Sequence, residues 1–432
     1  MKQLIFLSTI LLLTVCAFGQ KKEDSLTYKL NEYFLALTNL NKFNGNVIIS
    51  KNGHLLLDKT YNMSNETDSL RVTRDSKFII ASVSKVFIKY SILKLIELNR
   101  LHLSDKLSKF IPDFPSGEKI TVEQLMHHQS GLPRELKNYE KFDSLSLSKV
   151  VELAKSEKLQ FEPGSQTLYS NVGYFLLHYI IDKTSDNGYL TFIHNEIFKK
   201  MELNNTLEFN STILVPKFAY GFDNENGKVI PISKKNINKF ETGNYLSTVG
   251  DLYRFSKQLM NRRSINQSLV NQLFNKDSVL EQAGGRPGYR AYFYMNLKTE
   301  VTFIFTSNYT DIPIQEVIAD ILNILSHKPY EVPHKINRVE IQLPKETLQK
   351  YTGKFALEAD LTQTLTIALI GDKLYNVDTN GEKTELHPDG VNTFFENPTT
   401  KDGYIFTPDQ LTNKFELTII QTGLKLKAKR IE

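Results

Sequence analysis

The ten residues Phe78-Ile79-Ile80-Ala81-Ser82-Val83-Ser84-Lys85-Val86-Phe87 carry two hydroxyls and an amine inside an otherwise apolar run. Lysine usually stays at a protein surface. Such a run is therefore either the solvated edge of a helix or a buried helix start that holds polar groups for chemistry. With Ser82 opening a helix that reaches about Asn99, Lys85 lies one turn on and on the same face. At about 100° per residue, Ser84 sits roughly 160° around and faces elsewhere. A serine hydroxyl becomes a useful nucleophile once a base takes its proton. A lysine amine is such a base where burial and neighbours depress its pKa. Backbone N–H groups and the dipole at a helix start also favour negative charge developing there. An isolated Ser-x-x-Lys is most often a solvated edge, so the surrounding chain has to decide.

Working outward, Asn46–Ser50, the turn Lys51-Asn52-Gly53-His54 and Leu55–Leu57 read as a β-hairpin. Leu26–Leu40 has the apolar spacing of an amphipathic helix. Residues 121–260 are mainly helical, and strand character returns at Tyr289–Leu297 and Val301–Thr306 before a helix at Gln315–Leu325. Strands at both ends with helices between them predict an α+β fold, an antiparallel sheet completed by distant segments and flanked by helices, with a helical lobe. Pro329, Pro333 and Pro344 mark a linker. Beyond it, short alternating strands such as Leu365–Leu369 and Lys414–Ile419, with turns at Gly371-Asp372, Asn380-Gly381 and Thr422-Gly423, predict a small all-β barrel domain.

The chain has 432 residues, 41% hydrophobic and 23% charged, which fits two folded domains. Its net charge of +5 is spread along the chain, so no nucleic-acid partner is expected. Met1-Lys2, the apolar run from Leu4 to Phe18 and the small residues Ala17 and Gly19 read as a secretory signal peptide. The expected division is residues 1–19 as leader, 20–328 as the first domain, 329–344 as linker and 345–432 as the β-domain. The expected location is exported, periplasmic or secreted, with no transmembrane span after cleavage. A lipoprotein through Cys16 is the lesser alternative, because Val15 is bulkier than the residue usual there. Cys16 is the single cysteine, so the mature chain would have no disulfide and no thiol chemistry.

Two further stretches add polar groups. In Glu162-Pro163-Gly164-Ser165-Gln166-Thr167-Leu168-Tyr169-Ser170-Asn171, a tyrosine and an asparagine two apart follow a Pro-Gly turn. The phenol of Tyr169 can relay a proton and the amide of Asn171 can bind a substrate carbonyl; taken singly, a core tyrosine beside an Asn-stabilised turn is the blander reading. In Glu281-Gln282-Ala283-Gly284-Gly285-Arg286-Pro287-Gly288, glycines permit close approach to a ligand, or are simply a Gly-rich loop before a strand. The nine histidines show neither His-x-His nor His-Glu-x-x-His spacing, so no metal site is expected. Asp223–Gly227 lacks the bidentate glutamate of a calcium loop and reads as a polar hairpin turn.

Together and in this order, Ser82-x-x-Lys85, Tyr169-Ser170-Asn171 and Gln282-Ala283-Gly284 resemble the serine β-lactamase and penicillin-binding-protein superfamily, in the branch of class C β-lactamases, DD-carboxypeptidases and esterases. Met126-His127-His128-Gln129-Ser130-Gly131-Leu132-Pro133 is similar to that family's His-x-Ser-Gly-Leu turn, and Ser247-Thr248-Val249-Gly250-Asp251-Leu252 to its Ser-Thr-x-x-Asp-Leu helix start. The likeness covers about residues 26–328. The C-terminal segment resembles, more weakly, the lipocalin-like β-domain often appended to such proteins. The resemblance implies that Ser82 is acylated, that Lys85 and Tyr169 share the acid–base work and that Asn171 orients the substrate. It places the oxyanion between the backbone N–H groups of Ser82 and Gly285, beside Gln282 and Gly284. It implies no cofactor, and a small-molecule or peptide substrate, cell-wall peptides among the options.

The third motif departs from the family's Lys-Thr-Gly or His-x-Gly, because Gln282 brings no charge. Losing a charge-assisted contact costs roughly 1–3 kcal/mol, which predicts weaker binding of carboxylate-bearing substrates. The segment from Asn266 to Glu281 reads as a short helix and connector, without the strand that usually precedes this motif. A hydrolase of an ester, amide or peptide is thus the leading expectation, and a non-catalytic peptidoglycan- or peptide-binding protein the rival.

Overall fold

Strand β1 (Gly45–Lys51) is buried through its first six residues, and a run with Val47, Ile48 and Ile49 in succession needs apolar cover on both faces. In the computed structural model of the chain that cover is helical. The structure describes residues 25–64, 70–137, 139–141, 145–209, 214–225, 227–232, 245–260, 265–358, 360–379, 381–409, 415–421 and 424–431. The leader with Cys16, and the turn residues Asn226, Asn380, Thr422 and Gly423, lie outside the described residues.

β1 joins β2 (His54–Tyr61), β8 (Val279–Arg286), β9 (Tyr289–Asn296) and β10 (Val301–Ser307) in an antiparallel sheet of order β2-β1-β10-β9-β8. Gly45 pairs with Ser307 and Lys51 with Val301, so the two ends of the domain meet at the sheet centre. Side chains alternate between faces. Val47, Ile49, Phe303 and Phe305 pack with the helices Ser25–Asn39 and Ile314–Leu325. Ile48, Phe293 and Ile304 face the opposite side and join the core that holds Phe87 and Phe255. The helical lobe between β2 and β8 includes helices Lys85–Glu97, Asn171–Thr184 and Val249–Met260. It also carries a small sheet of β3 (Phe78–Ile79), β7 (Tyr245–Ser247) and β4 (Leu207–Glu208), and a hairpin of β5 (Phe222–Glu225) and β6 (Lys228–Pro231).

Two local expectations change. The helix does not begin at Ser82: a 3-10 turn spans Ala81–Ser84 and the α-helix runs Lys85–Glu97. The cause is the strand before it. Ile80 still donates to Tyr245 as part of the β3–β7 pairing, so the chain must reverse at Ala81, which adopts φ +45°. A non-glycine residue in that region costs on the order of 1–2 kcal/mol. The glycine-rich segment is likewise no loop. Val279–Arg286 is the edge strand β8, closed onto β9 by a Pro287-Gly288 turn with Gly288 at φ +78°; before it come the short helix Gln267–Val270 and a 3-10 turn, and among the described residues no separate strand precedes the one that carries the third motif.

After residues 326–344 the chain closes an eight-stranded antiparallel barrel of β11 (Gly353–Leu357), β12 (Asp360–Ile370), β13 (Lys373–Val377), β14 (Lys383–Gly390), β15 (Thr393–Phe395), β16 (Gly403–Pro408), β17 (Phe415–Gln421) and β18 (Leu424–Arg430). Its core of Tyr351, Phe355, Phe394 and Phe406 is separate from the two large cores of the first domain. The expected fold class, sheet and helices followed by a small barrel, is what the structure has. Among the described residues no helix is long and apolar enough to cross a membrane.

Candidate active site

Lys85 is the centre of the site. It is 9% exposed, and its Nζ donates to Ser82 Oγ at 3.1 Å and to Asn171 Oδ1 at 2.8 Å. The same Nζ lies 5.1 Å from the ring centroid of Tyr169 and 5.2 Å from that of Tyr174, two π-faces that attract a cation. Ser82, Lys85, Tyr169 and Asn171, which are spread over 90 residues of sequence, are thereby brought together. Ser84 is buried on the other side of the turn, and its Oγ has no partner among the described residues.

The loop 126–135 builds the wall that carries Tyr169 and Asn171. Ser170 caps the helix Asn171–Thr184, accepting from the Gly173 N–H at 3.0 Å, and its hydroxyl donates to the Pro133 carbonyl at 2.7 Å. Asn171 N–H donates to the Arg134 carbonyl. Gly131, at φ +79°, lets this loop pass so close to Phe161 that a Cβ there would sit 2.3 Å from the Phe161 carbonyl oxygen. Two residues to which the sequence reading gave no role of their own follow from this wall. Glu135 accepts from Asn171 Nδ2 at 2.6 Å, extending the chain Ser82–Lys85–Asn171–Glu135. His128 stacks on Tyr169 with centroids 4.5 Å apart and planes at 28°. Its Nδ1 accepts from the Ser170 N–H at 3.1 Å, which puts the ring proton on Nε2.

The electrostatics keep the two histidines of this wall uncharged. Burial, reinforced by Lys89 and Lys85, holds the His128 imidazole down to about 3. His127 is lowered for the same first two reasons, burial and Lys89. Lys89 itself, one turn beyond Lys85, is pushed down to about 8 by burial and then by Lys85. The spacing Lys85-x-x-x-Lys89 was readable in the sequence, but the burial that gives it meaning comes from the packed lobe.

The opposite wall is β8. Gly284 packs against the 3-10 turn: a Cβ there would sit 2.3 Å from the Ile80 carbonyl oxygen and 3.2 Å from the Ser82 nitrogen. Gly285 follows on the exposed side of this edge strand, opposite Arg290. The Gly285 position is open, with the Arg290 guanidinium nitrogen Nη1 3.5 Å from where a Cβ would stand. Gln282 is half-buried, and its Nε2 donates to the neighbouring Ala283 carbonyl at 3.0 Å. The structure therefore brings Gly284 against Ser82 but turns the Gln282 amide along its own strand. Among the described residues, the group of side chains close enough to share an ion is Glu340 of the connecting segment with Glu385 and His387 of the barrel strand β14. There Lys373 already pairs with Glu385 at 2.7 Å.

Comparison with known proteins agrees with this architecture. The profile of the family described as Beta-lactamase matches residues 39–325. Penicillin-binding protein 4* of Bacillus subtilis is 25% identical over 411 residues, which are 85% of this chain and 90% of that protein. Protein flp of Staphylococcus aureus is 29% identical over 256 residues, 57% of this chain and 50% of flp. Among solved structures, the octameric penicillin-binding protein homologue from Pyrococcus abyssi aligns with a TM-score of 0.61 at 20% identity, over 93% of this chain and 99% of that one. The D-amino acid amidase from Ochrobactrum anthropi aligns with a TM-score of 0.60 at 17% identity, over 71% of this chain and 99% of that one. The structural likenesses establish a shared fold.

Proposed function

Because the chain belongs to the β-lactamase family of serine hydrolases, we propose that it is an exported hydrolase that forms an acyl-enzyme on Ser82 and cleaves an ester, amide or peptide. The observation that carries this reading is the 3.1 Å contact between Lys85 Nζ and Ser82 Oγ in a buried, aromatic-walled site. In its neutral form Lys85 takes the Ser82 proton as Oγ attacks the substrate carbonyl. The oxyanion is held by the N–H groups of Ser82 and Gly285. That second donor is consistent with the hairpin register: Gly285–Arg290 is the pair next to the closing pair of a two-residue turn, the kind whose N–H points away from the ladder. The Tyr169 hydroxyl gives its proton to the leaving group and is reprotonated from Lys85; water, losing its proton to the same pair, then attacks the ester of Ser82, and the proton goes back to Ser82 Oγ as the acid leaves.

Asn171 is engaged at both ends, by Lys85 and by Glu135. Its first role is thus to position Lys85, and Nδ2, which gives one of its two protons to Glu135, keeps the other for a substrate carbonyl. At the other wall, Arg290 offers beside Gly285 the cation that Gln282 does not. The substrates proposed are small esters and amides, D-amino acid amides among them because the amidase from Ochrobactrum anthropi shares the fold. Cleavage of the leader 1–19 and export to the periplasm or beyond belong to the same proposal.

The test is turnover of a p-nitrophenyl ester and of D-phenylalanine amide by the wild-type chain and by Ser82→Ala. Turnover that disappears in the variant is expected; equal turnover by both defeats the reading. The turned-away Gln282 favours one rival, a binding protein without turnover. That reading predicts that a peptidoglycan fragment binds wild type and Ser82→Ala equally, with no product from either.

A further inference from the structure

The wall opposite β8 carries a cation that the mechanism above does not use. Arg134 follows Pro133 in the loop 126–135, and its carbonyl accepts from the Asn171 N–H, so its backbone is tied to the helix start beside the site. Its side chain is 69% exposed, and the guanidinium carbon lies 5.2 Å from the centroid of the Tyr169 ring. Lys85 Nζ lies 5.1 Å from the same centroid. One ring is thus shared by two cations, one buried against Ser82 and one open to solvent.

The terminal donors of this arginine are not spent. Its ion-pair contact among the described residues is Nε to Glu135 Oε1 at 3.9 Å, beyond hydrogen-bond reach. Glu135 Oε1 accepts instead from Asn171 Nδ2 at 2.6 Å. Neither terminal nitrogen of Arg134 has a hydrogen-bond partner among the described residues. Arg290 differs, since its Nη1 donates to the carbonyls of Arg286 and Tyr289. Contact with the phenol ring holds the Arg134 fork near Tyr169, and a planar fork of N–H donors matches a carboxylate bidentately. In the mechanism above the Tyr169 hydroxyl serves the leaving group. A carboxylate held over its ring therefore belongs to the leaving portion of a substrate, not to the acyl portion.

We propose that Arg134 determines specificity by binding a carboxylate on the leaving group, so that the preferred substrates are esters or amides that release a hydroxy acid or an amino acid. The cation missing at Gln282 is then supplied from the other wall. The inference rests on the Ser82 reading, and the binding measurement below separates the two.

The probes are 4-acetoxybenzoate and methyl 4-acetoxybenzoate, which share acyl group and ring and differ by one charge. Arg134→Gln lowers kcat/KM for the anion about tenfold more than for the methyl ester, as loss of a charge-assisted contact requires. Monophenyl succinate, anionic on the acyl side, falls no more than the methyl ester does. In calorimetric titration of Ser82→Ala the anion binds at least about tenfold more tightly than the methyl ester. Adding Arg134→Gln removes that preference, adding Arg134→Lys keeps part of it, and adding Arg100→Gln, beyond the far end of the helix Lys85–Glu97, leaves it whole. A wild type without turnover whose Ser82→Ala form keeps the Arg134-dependent preference defeats the Ser82 reading and upholds the assignment of Arg134. Equal affinity for the two probes, or a preference that survives Arg134→Gln or disappears with Arg290→Gln instead, overturns it.

Discussion

Lys85 carries three donor positions, and two are already assigned, to Ser82 and Asn171. Removing the Asn171 acceptor frees the amine to swing from the serine. Asn171→Ala should therefore lower kcat/KM for an ester by about 10²-fold, within the range general-base positioning commands. Glu135→Gln keeps an oxygen that can accept from Asn171 Nδ2, and should cost less than about tenfold. Steady-state kinetics of the two variants separates these effects. His128 gives a pH prediction. Its ordinary value of 6.5 falls to about 3 in the folded state, chiefly through burial, so between those values the unfolded chain binds the extra proton. Its contribution to stability is complete above about pH 6.5 and is lost as pH falls towards 3. Urea unfolding between pH 7 and 4 should show a decline that flattens in His128→Gln; a variant with the unaltered pH slope contradicts this. At this scale the sequence was legible where residues lie one helical turn apart, as Ser82 and Lys85 do. The contacts of Glu135 and His128 were not legible, because they depend on how the loop 126–135 folds onto the start of a distant helix.

At the level of single elements, β8 and the 3-10 turn before the helix Lys85–Glu97 are what set the width of the site. Gly284 and Gly285 are adjacent and chemically identical, yet the structure treats them differently. A Cβ on Gly284 would lie 2.3 Å from backbone at Ile80, whereas on Gly285 its nearest neighbour is a flexible arginine head at 3.5 Å. Gly284→Ala should push β8 away from Ser82, lower the unfolding free energy by about 1–3 kcal/mol as overpacking does, and abolish esterase activity. Gly285→Ala should fold with wild-type stability. Thermal melts of both variants check this, and equal melting temperatures would refute the account of the wall. The glycines themselves were plain in the sequence. Their placement in a strand was hidden because Gly-Gly is depleted in strands, and only the pairing with β9 over eight residues overrides that preference.

For the whole molecule, the first domain and the barrel have separate apolar cores, and a proline-bearing stretch without regular structure joins them. Calorimetry should accordingly resolve two unfolding transitions, as independent cores require; one cooperative transition would show that the two parts unfold together. This organisation was the most legible feature of all. The change from helical spacing to short alternating strands after residue 345 reports which faces are buried, and burial is what periodicity encodes. That the barrel has a cavity of about 640 Å³, lined by Asn376 and Tyr404 among others, was not legible, since both read as ordinary strand residues until the sheet closes.

The central claim is that Ser82 is a nucleophile activated by Lys85. It is tested most directly by treating the folded chain with a fluorophosphonate and mapping the adduct by peptide mass spectrometry. The account predicts one stoichiometric adduct on Ser82, absent in Ser82→Ala and formed far more slowly in Lys85→Ala. A folded protein that stays unlabelled, or that is labelled at another serine at the same rate in all three forms, contradicts it.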